Sequence, residues 1–249
     1  MKALPPPIFQ VGHAERVPLG TSYPDIVAYV GGLLRKLPGD TELVIDFTGV
    51  GRPIFDMFVY SGILPVGVII TAGHTETRDG MVFSVPKLTL VSRLQALLHK
   101  AQLKILRELD EAETLVRELQ DFRVEFTAAG HLTFNARSGK HDDLVLALAI
   151  AVWRAHGGGM ASWGMFELTR QRALGSAASE PRYYVGVDLG QSRDPTAIAV
   201  VRRDEPPAPV LEDDFGRKPK PEYAHGSVEW EEEQRREGAA TSKGEAASE

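Results

Sequence analysis

A chain of 249 residues without cysteine excludes disulfides, zinc–thiolate centres and thiol nucleophiles, and its length suits one substantial core with tails or two small domains. The net charge of −6 is unevenly spread: residues 204–249 carry about −7, which leaves the body at about +1, so the sum says little about nucleic-acid binding. No apolar run reaches the length of a membrane span, and Met1–Pro7 has no long apolar stretch, so neither a membrane anchor nor a secretory signal is expected.

Ile8–Val11 and Arg16–Leu19 read as a strand with a turn. Ser22 or Thr21 as N-cap, with Pro24 in the first turn, predicts a helix running to Leu37, where Pro38-Gly39 ends it. Glu42–Asp46 is a short buried strand, Thr48–Gly51 a tight turn, and Pro53–Ser61 a helix. Val66–Ile70 is a second buried strand, and 74–86 a polar hairpin with Asp79-Gly80 at its tip. Lys87–Ala101 repeats apolar residues at helical spacing, and Leu103–Leu106 is a short strand. Asp110–Phe122 predicts a helix with its charges outside and Leu115, Val116 and Leu119 inside.

Arg123–Thr127 and Leu132–Asn135 alternate around Ala-Ala-Gly130 as a hairpin, and His141–Trp153 is apolar enough to be a buried helix. Gly157–Gly159 opens a Gly, Ser and Ala-rich connector, with a short helix at Met165–Arg172. Tyr183–Asp188 and Thr196–Val201 then form an apolar hairpin. The resulting organisation is a main body at 8–155, a connector at 156–182, a hairpin at 183–202 and an acidic, largely disordered tail at 203–249, with a short helix at Val228–Arg236. Continuous Val/Ile strands alternating with helices predict an α/β sheet with helices on both faces.

Asp46 and Asp188 each end an apolar strand, where open α/β sheets bind ligands. Asp142 and Asp143 open the buried helix, near its backbone amides and dipole. Three carboxylate sites meeting at one point repel, and a hard divalent cation such as magnesium relieves that repulsion. Two such ions about 4 Å apart clamp the attacking water and the leaving 3′ oxygen of a phosphodiester. Each residue also has a plainer reading: a strand-end aspartate is commonly a turn or cap residue, and Asp142 or Asp143 can simply cap its helix. Asp194-Pro195 reads as a turn, and His13, His74, His99 and His131 show no metal-ligand spacing. Thr48–Gly51 lacks the Gly-Lys-Ser/Thr ending of a phosphate loop, so its role is to turn the backbone beside Asp46.

Taken together, Leu43–Gly51, Val85-Pro-Lys87 opening a helix, and Gly139–Ala147 resemble the nuclease domain of phage large terminase subunits. Val185–Gly190, with Asp194–Ala197, is similar to that domain's opening hairpin. The resemblance implies an RNase H-like (resolvase-like) fold: a mixed central sheet flanked by helices, with the opening β-hairpin supplied from the C-terminal part of the chain. It implies a metal-dependent endonuclease that cuts viral DNA during packaging, working in the bacterial host cytoplasm. Position by position, the resemblance implies Asp188, Asp46 and one or both of Asp142 and Asp143 as catalytic metal ligands for two Mg2+ or Mn2+ ions, with His141, Lys140 and Lys87 as phosphate or water contacts. Double-stranded DNA is the implied substrate; a separate packaging ATPase, a small terminase subunit and a portal are the implied partners.

The sequence departs from the family twice. It has no Gly-x-x-x-x-Gly-Lys-Ser/Thr and hence no motor of its own, and its hairpin comes last instead of first, a circular permutation. A flexible connector of 27 residues typically spans roughly 30 Å, enough to bring the hairpin back to the sheet. Docking in its own chain or in a neighbouring copy, as a swapped dimer, would equally hide its apolar faces. Two other functions compete: a rearranged fragment that folds without a competent site, and an actin-like or sugar-kinase-like ATP-binding protein, whose phosphate hairpin Val185–Gln191 resembles.

Overall fold

The computed structural model describes residues 6–38, 41–49, 51–121, 123–126, 132–135, 142–159, 182–190 and 194–204. Contacts divide the chain into Met1–Pro207 and Ala208–Glu249. The second unit lies outside the described residues, as do Lys140, His141, most of the connector and both short helices expected at Met165–Arg172 and Val228–Arg236.

The strands are β1 (Ile8–Arg16), β2 (Thr41–Asp46), β3 (Val66–Thr71), β4 (Thr77–Asp79), β5 (Val82–Pro86), β6 (Leu103–Ile105), β7 (Arg123–Phe126), β8 (Leu132–Asn135), β9 (Arg182–Asp188) and β10 (Ala197–Asp204). The helices are α1 (Tyr23–Leu34), α2 (Gly51–Tyr60), α3 (Lys87–His99), α4 (Ala112–Asp121) and α5 (Asp143–Ala155). The expected elements are present among the described residues, with shifts at their ends. Ile8–Arg16 is one strand, with an irregularity between Val11 and His13, where a strand followed by a turn was expected. Ser22 caps α1 by accepting from the Asp25 amide, as its position predicts.

Eight strands form one mixed sheet in the order β4-β5-β3-β2-β9-β10-β1-β6, and β7-β8 form a separate antiparallel pair. The C-terminal hairpin β9-β10 occupies the middle of the large sheet, in the same chain. β9 runs parallel to β2, with Leu43 opposite Val185 and Ile45 opposite Val187. β10 runs antiparallel to β1, with Val11 opposite Val201 and Ala14 opposite Ala199. A strand buried on both faces and both edges reads as an unbroken apolar run, which explains Tyr184-Val-Gly-Val187 and Ala197–Val201.

Alternation along the strands divides the core into two layers. Leu43, Ile45, Val185, Val187, Ile198 and Val200 face α1 and α2, meeting Ile26, Val30, Ile54 and Phe58. Val44, Val68, Tyr184, Ala197, Ala199 and Val201 face the other side, meeting Leu90 and Leu94 of α3, Leu115 of α4 and nearly every residue of α5. Each fully buried Val, Ile or Leu contributes roughly 1.5–3 kcal/mol of transfer free energy. Helix α5 is apolar on all sides because it lies under α3 and α4 and over β9 and β10. Its approach to the sheet depends on Gly186, where an added Cβ would stand 2.0 Å from the Ala147 carbonyl oxygen and 3.0 Å from the Ala151 Cβ.

One expectation fails on α4. Val116 is 40 % exposed, whereas Glu118 is buried at 8 % beside Leu115. An ion pair with Arg16 turns Glu118 inward, and Val116 falls on the opposite side of the helix. The assignment of all the charges of this helix to its outer face is therefore corrected.

Candidate carboxylate site

Asp46 and Asp188 are the last residues of β2 and β9, one step beyond the Ile45–Val187 pairing. Each follows its strand's even-numbered residues, Val44 and Tyr184, so both carboxylates project to the face that α5 covers. The backbone around Asp46 is shaped to expose it. Its carboxylate accepts from the Thr48 amide at 2.8 Å, and the Thr48 hydroxyl accepts from the Ile70 amide at 3.0 Å. Gly49 takes a left-handed φ of +72°, and a Cβ on Gly51 would stand 2.8 Å from the Asp46 carbonyl. The Thr48–Gly51 stretch thus turns the chain beside Asp46, as its sequence suggests. Beyond Asp188 the turn is equally tight: the Gly190 amide donates to the Thr196 hydroxyl at 3.1 Å, and a Cβ there would meet the Asp194 carbonyl at 2.1 Å.

From above, α5 supplies Asp142 and Asp143 at its start. Asp142 sits at the N-cap position but makes no side-chain capping bond. Its carboxylate instead takes an ion pair from Lys87 Nζ at 3.2 Å, and Lys87 opens α3. Asp143 is buried and lies 3.6 Å from Arg16 Nε.

The electrostatics show that these groups share one environment. Burial pushes Asp188 well above the usual carboxylate range, and the negative charges of Asp46, Asp143 and Asp142 push it further. Asp46 is also raised by burial, but Thr48, a hydrogen bond with Asp188 and the charge of Lys87 work against the rise. The two carboxyls interact closely enough to titrate as a pair. Burial pushes Glu118 up to about 7, against the pull of Arg16 and of the Val145 amide, with Asp143 and Asp142 adding to the rise.

The donor set suits a hard divalent cation: carboxylate oxygens, buried and mutually repelling. Among the described residues, no group of three or more His, Cys, Asp or Glu side chains is already gathered as a cage for a metal ion. Asp46 and Asp188 make the close pair, while Asp142 and Asp143 act on it through space and are engaged by Lys87 and Arg16. Magnesium binds in this way, through one or two carboxylates completed by water and substrate phosphate.

Of the residues singled out in the sequence, Asp46 and Asp188 form a pair, Asp142 meets Lys87, Asp143 lies near Arg16, and both of these carboxylates act on Asp188 through their charge; His141 and Lys140 lie outside the described residues. Sequence reasoning missed Arg16, Glu118 and Gly186, and it read Thr48 only as part of the turn beside Asp46. The i+3 spacing of Glu118 from the apolar Leu115 is a weak signal, masked by the charged residues around it.

The fold is a mixed α/β domain, an eight-stranded sheet flanked by helices, whose central hairpin comes from the C-terminal part of the chain. In sequence the chain is similar to the large terminase subunits of Thermus phage G20c and Thermus virus P23-45, at 28 % identity over 132 residues in each case. That stretch is 53 % of this chain but only 24 % of either relative, so the chain matches about a quarter of their length. Among solved structures it resembles the large terminase nuclease from thermophilic phage G20c with bound cobalt, at 27 % identity over 53 % of this chain and 62 % of that one, with a TM-score of 0.41. No family model matches. The resemblance to terminase large subunits read from the motifs is thus met by the sequence comparison and supports a terminase-type nuclease domain. Among the described residues, no helix is long and apolar enough to cross a membrane.

Proposed function

We propose that the chain is a divalent-metal-dependent DNA endonuclease of the terminase type, circularly permuted so that the opening hairpin closes the sheet from the C-terminal side. One observation supports this reading above the rest. Asp46 and Asp188 stand side by side at the ends of adjacent parallel strands, where burial raises both and the charges of Asp142 and Asp143 raise Asp188 further.

In this reading Asp46 and Asp188 hold Mg2+ or Mn2+, with Asp143 and Asp142 completing the acidic set. The bound metal supplies an activated water and neutralises the charge on the leaving 3′ oxygen. The chain's own groups prepare the site. Thr48 fixes the Asp46 carboxylate, while Lys87 draws Asp142 toward α3 and places a cation where a substrate phosphate can meet it. The close contact of Gly186 with Ala147 keeps the first turn of α5 level with the strand ends. Duplex DNA is the proposed substrate, and a separate packaging ATPase, a small terminase subunit and a portal are the proposed partners.

The actin-like ATP reading, carried by Val185–Gln191, finds less support, because the Gly190 amide of that turn is already engaged by the Thr196 hydroxyl. Plasmid nicking with Mg2+ or Mn2+ tests the proposal. Cleavage by the intact chain and its loss in both Asp46→Asn and Asp188→Asn are expected. Equal background in all three would favour a folded but incompetent fragment.

A further inference from the structure

We propose that Glu118 and Arg16 are positioning residues: Glu118 caps α5 from a neighbouring helix, which relieves Asp142 of the capping role and holds the first turn of α5 at the metal site. The inference rests on the metal-site reading above.

A helix begins with amide groups that have no partner inside it, and an N-cap aspartate ordinarily satisfies one of them. Asp142 holds the cap position of α5 but makes no capping bond. The Val145 amide, in the first turn, instead donates to Glu118 Oε2 at 3.3 Å. Glu118 belongs to α4, and its carboxylate at the positive end of α5 is favoured by the helix dipole. Arg16 pairs with the other Glu118 oxygen and lies 3.6 Å from Asp143, so one guanidinium ties the cap to a site carboxylate. Arg16 is itself fixed to the sheet: it ends β1 opposite Ala197, and the next amide, Val17, donates to the Thr196 carbonyl at 2.8 Å. The first turn of α5 is therefore held by α4 and β1, and Asp142 is left to meet Lys87. A purely structural buried pair would need no shared contact with Asp143.

Calorimetric titration of the full chain with Mn2+ tests this, alongside thermal unfolding of each variant without metal. Glu118→Ala should bind Mn2+ at least about tenfold more weakly at temperatures where it is fully folded, as outer-shell substitutions at metal sites do. Glu118→Gln, whose amide oxygen still accepts from Val145, should recover to within about threefold of the parent. If Glu118→Ala does not fold, Glu118→Asp serves: it keeps the charge but withdraws it from the Val145 amide, and it should show the same loss. Unchanged affinity in a folded Glu118→Ala or Glu118→Asp, with Asp188→Asn still losing Mn2+, overturns the positioning role alone. Unchanged affinity in Asp188→Asn as well, or no binding by the parent chain, overturns the metal-site reading and this inference with it.

Discussion

The two ends of α5 carry opposite kinds of charge cluster, and the contrast separates function from structure. At its C-terminal end arginines gather, and each is met by an acceptor. Arg93 donates to the Trp153 carbonyl at 3.2 Å, Arg203 to the Ala155 carbonyl at 2.8 Å and Arg154 to the Gly158 carbonyl at 3.0 Å. Glu42 takes Arg154 at 2.6 Å and Arg182 at 2.9 Å. Cations at a helix C-terminus answer the orphan carbonyls and the negative pole of the dipole, so this end is structurally complete. At the N-terminal end Asp46, Asp188, Asp142, Asp143 and Glu118 crowd around Lys87 and Arg16, and burial with like-charge repulsion raises Asp188 and Glu118. Among the described residues, five carboxylates at that end stand against these two cations. Charge that a protein leaves uncompensated in a buried site marks a functional candidate; compensated charge marks a brace.

The sharpest break of this comparison is the same neutralisation made at each end. Asp188→Asn should lower nicking more than about 100-fold while leaving the fold intact. Glu42→Gln should cost about 1–2 kcal/mol in denaturant unfolding and leave nicking within about twofold. Comparable loss of nicking in both would erase the distinction between the ends.

Gly186→Ala affects the packing that joins them. Its Cβ would enter the Ala147 carbonyl, so the variant should lose about 3 kcal/mol of stability, and lifting α5 should also impair nicking.

Acidity gives a subtler effect. Burial holds Glu118 at about 7 against an ordinary 4.5, so between those values the native state keeps a proton that the unfolded chain releases. Stability of the metal-free protein should therefore fall as pH rises through this window, with Asp188 acting in the same direction. Urea unfolding across this range should show a shallower fall for Glu118→Gln; an unchanged slope would mean that Glu118 does not titrate there.

The smallest effect is expected at Val116→Ser, below about 0.5 kcal/mol, because that side chain faces solvent.

Much of this was legible in the sequence for identifiable reasons. Asp46 and Asp188 stood out because each closes an unbroken apolar run, and such runs are strands buried on both faces. The buried α5 was readable because it has almost no polar residue after its first turn. The docking of the hairpin was not, since its apolar faces would be satisfied equally in this chain or in another copy. Glu118 was hidden because a lone glutamate among Glu113, Arg117 and Asp121 looks like part of a solvated face. Its burial comes from Arg16, more than a hundred residues away in sequence. Gly186 was equally silent: a glycine inside a strand does not announce the helix that will press against it.

The most direct test of the central claim is an anomalous difference map from crystals of the full chain soaked in Mn2+. The account predicts a peak about 2.1 Å from carboxylate oxygens of both Asp46 and Asp188, at the start of α5. Crystals with those side chains ordered but no peak between them, or with Mn2+ bound only elsewhere on the protein, would contradict it.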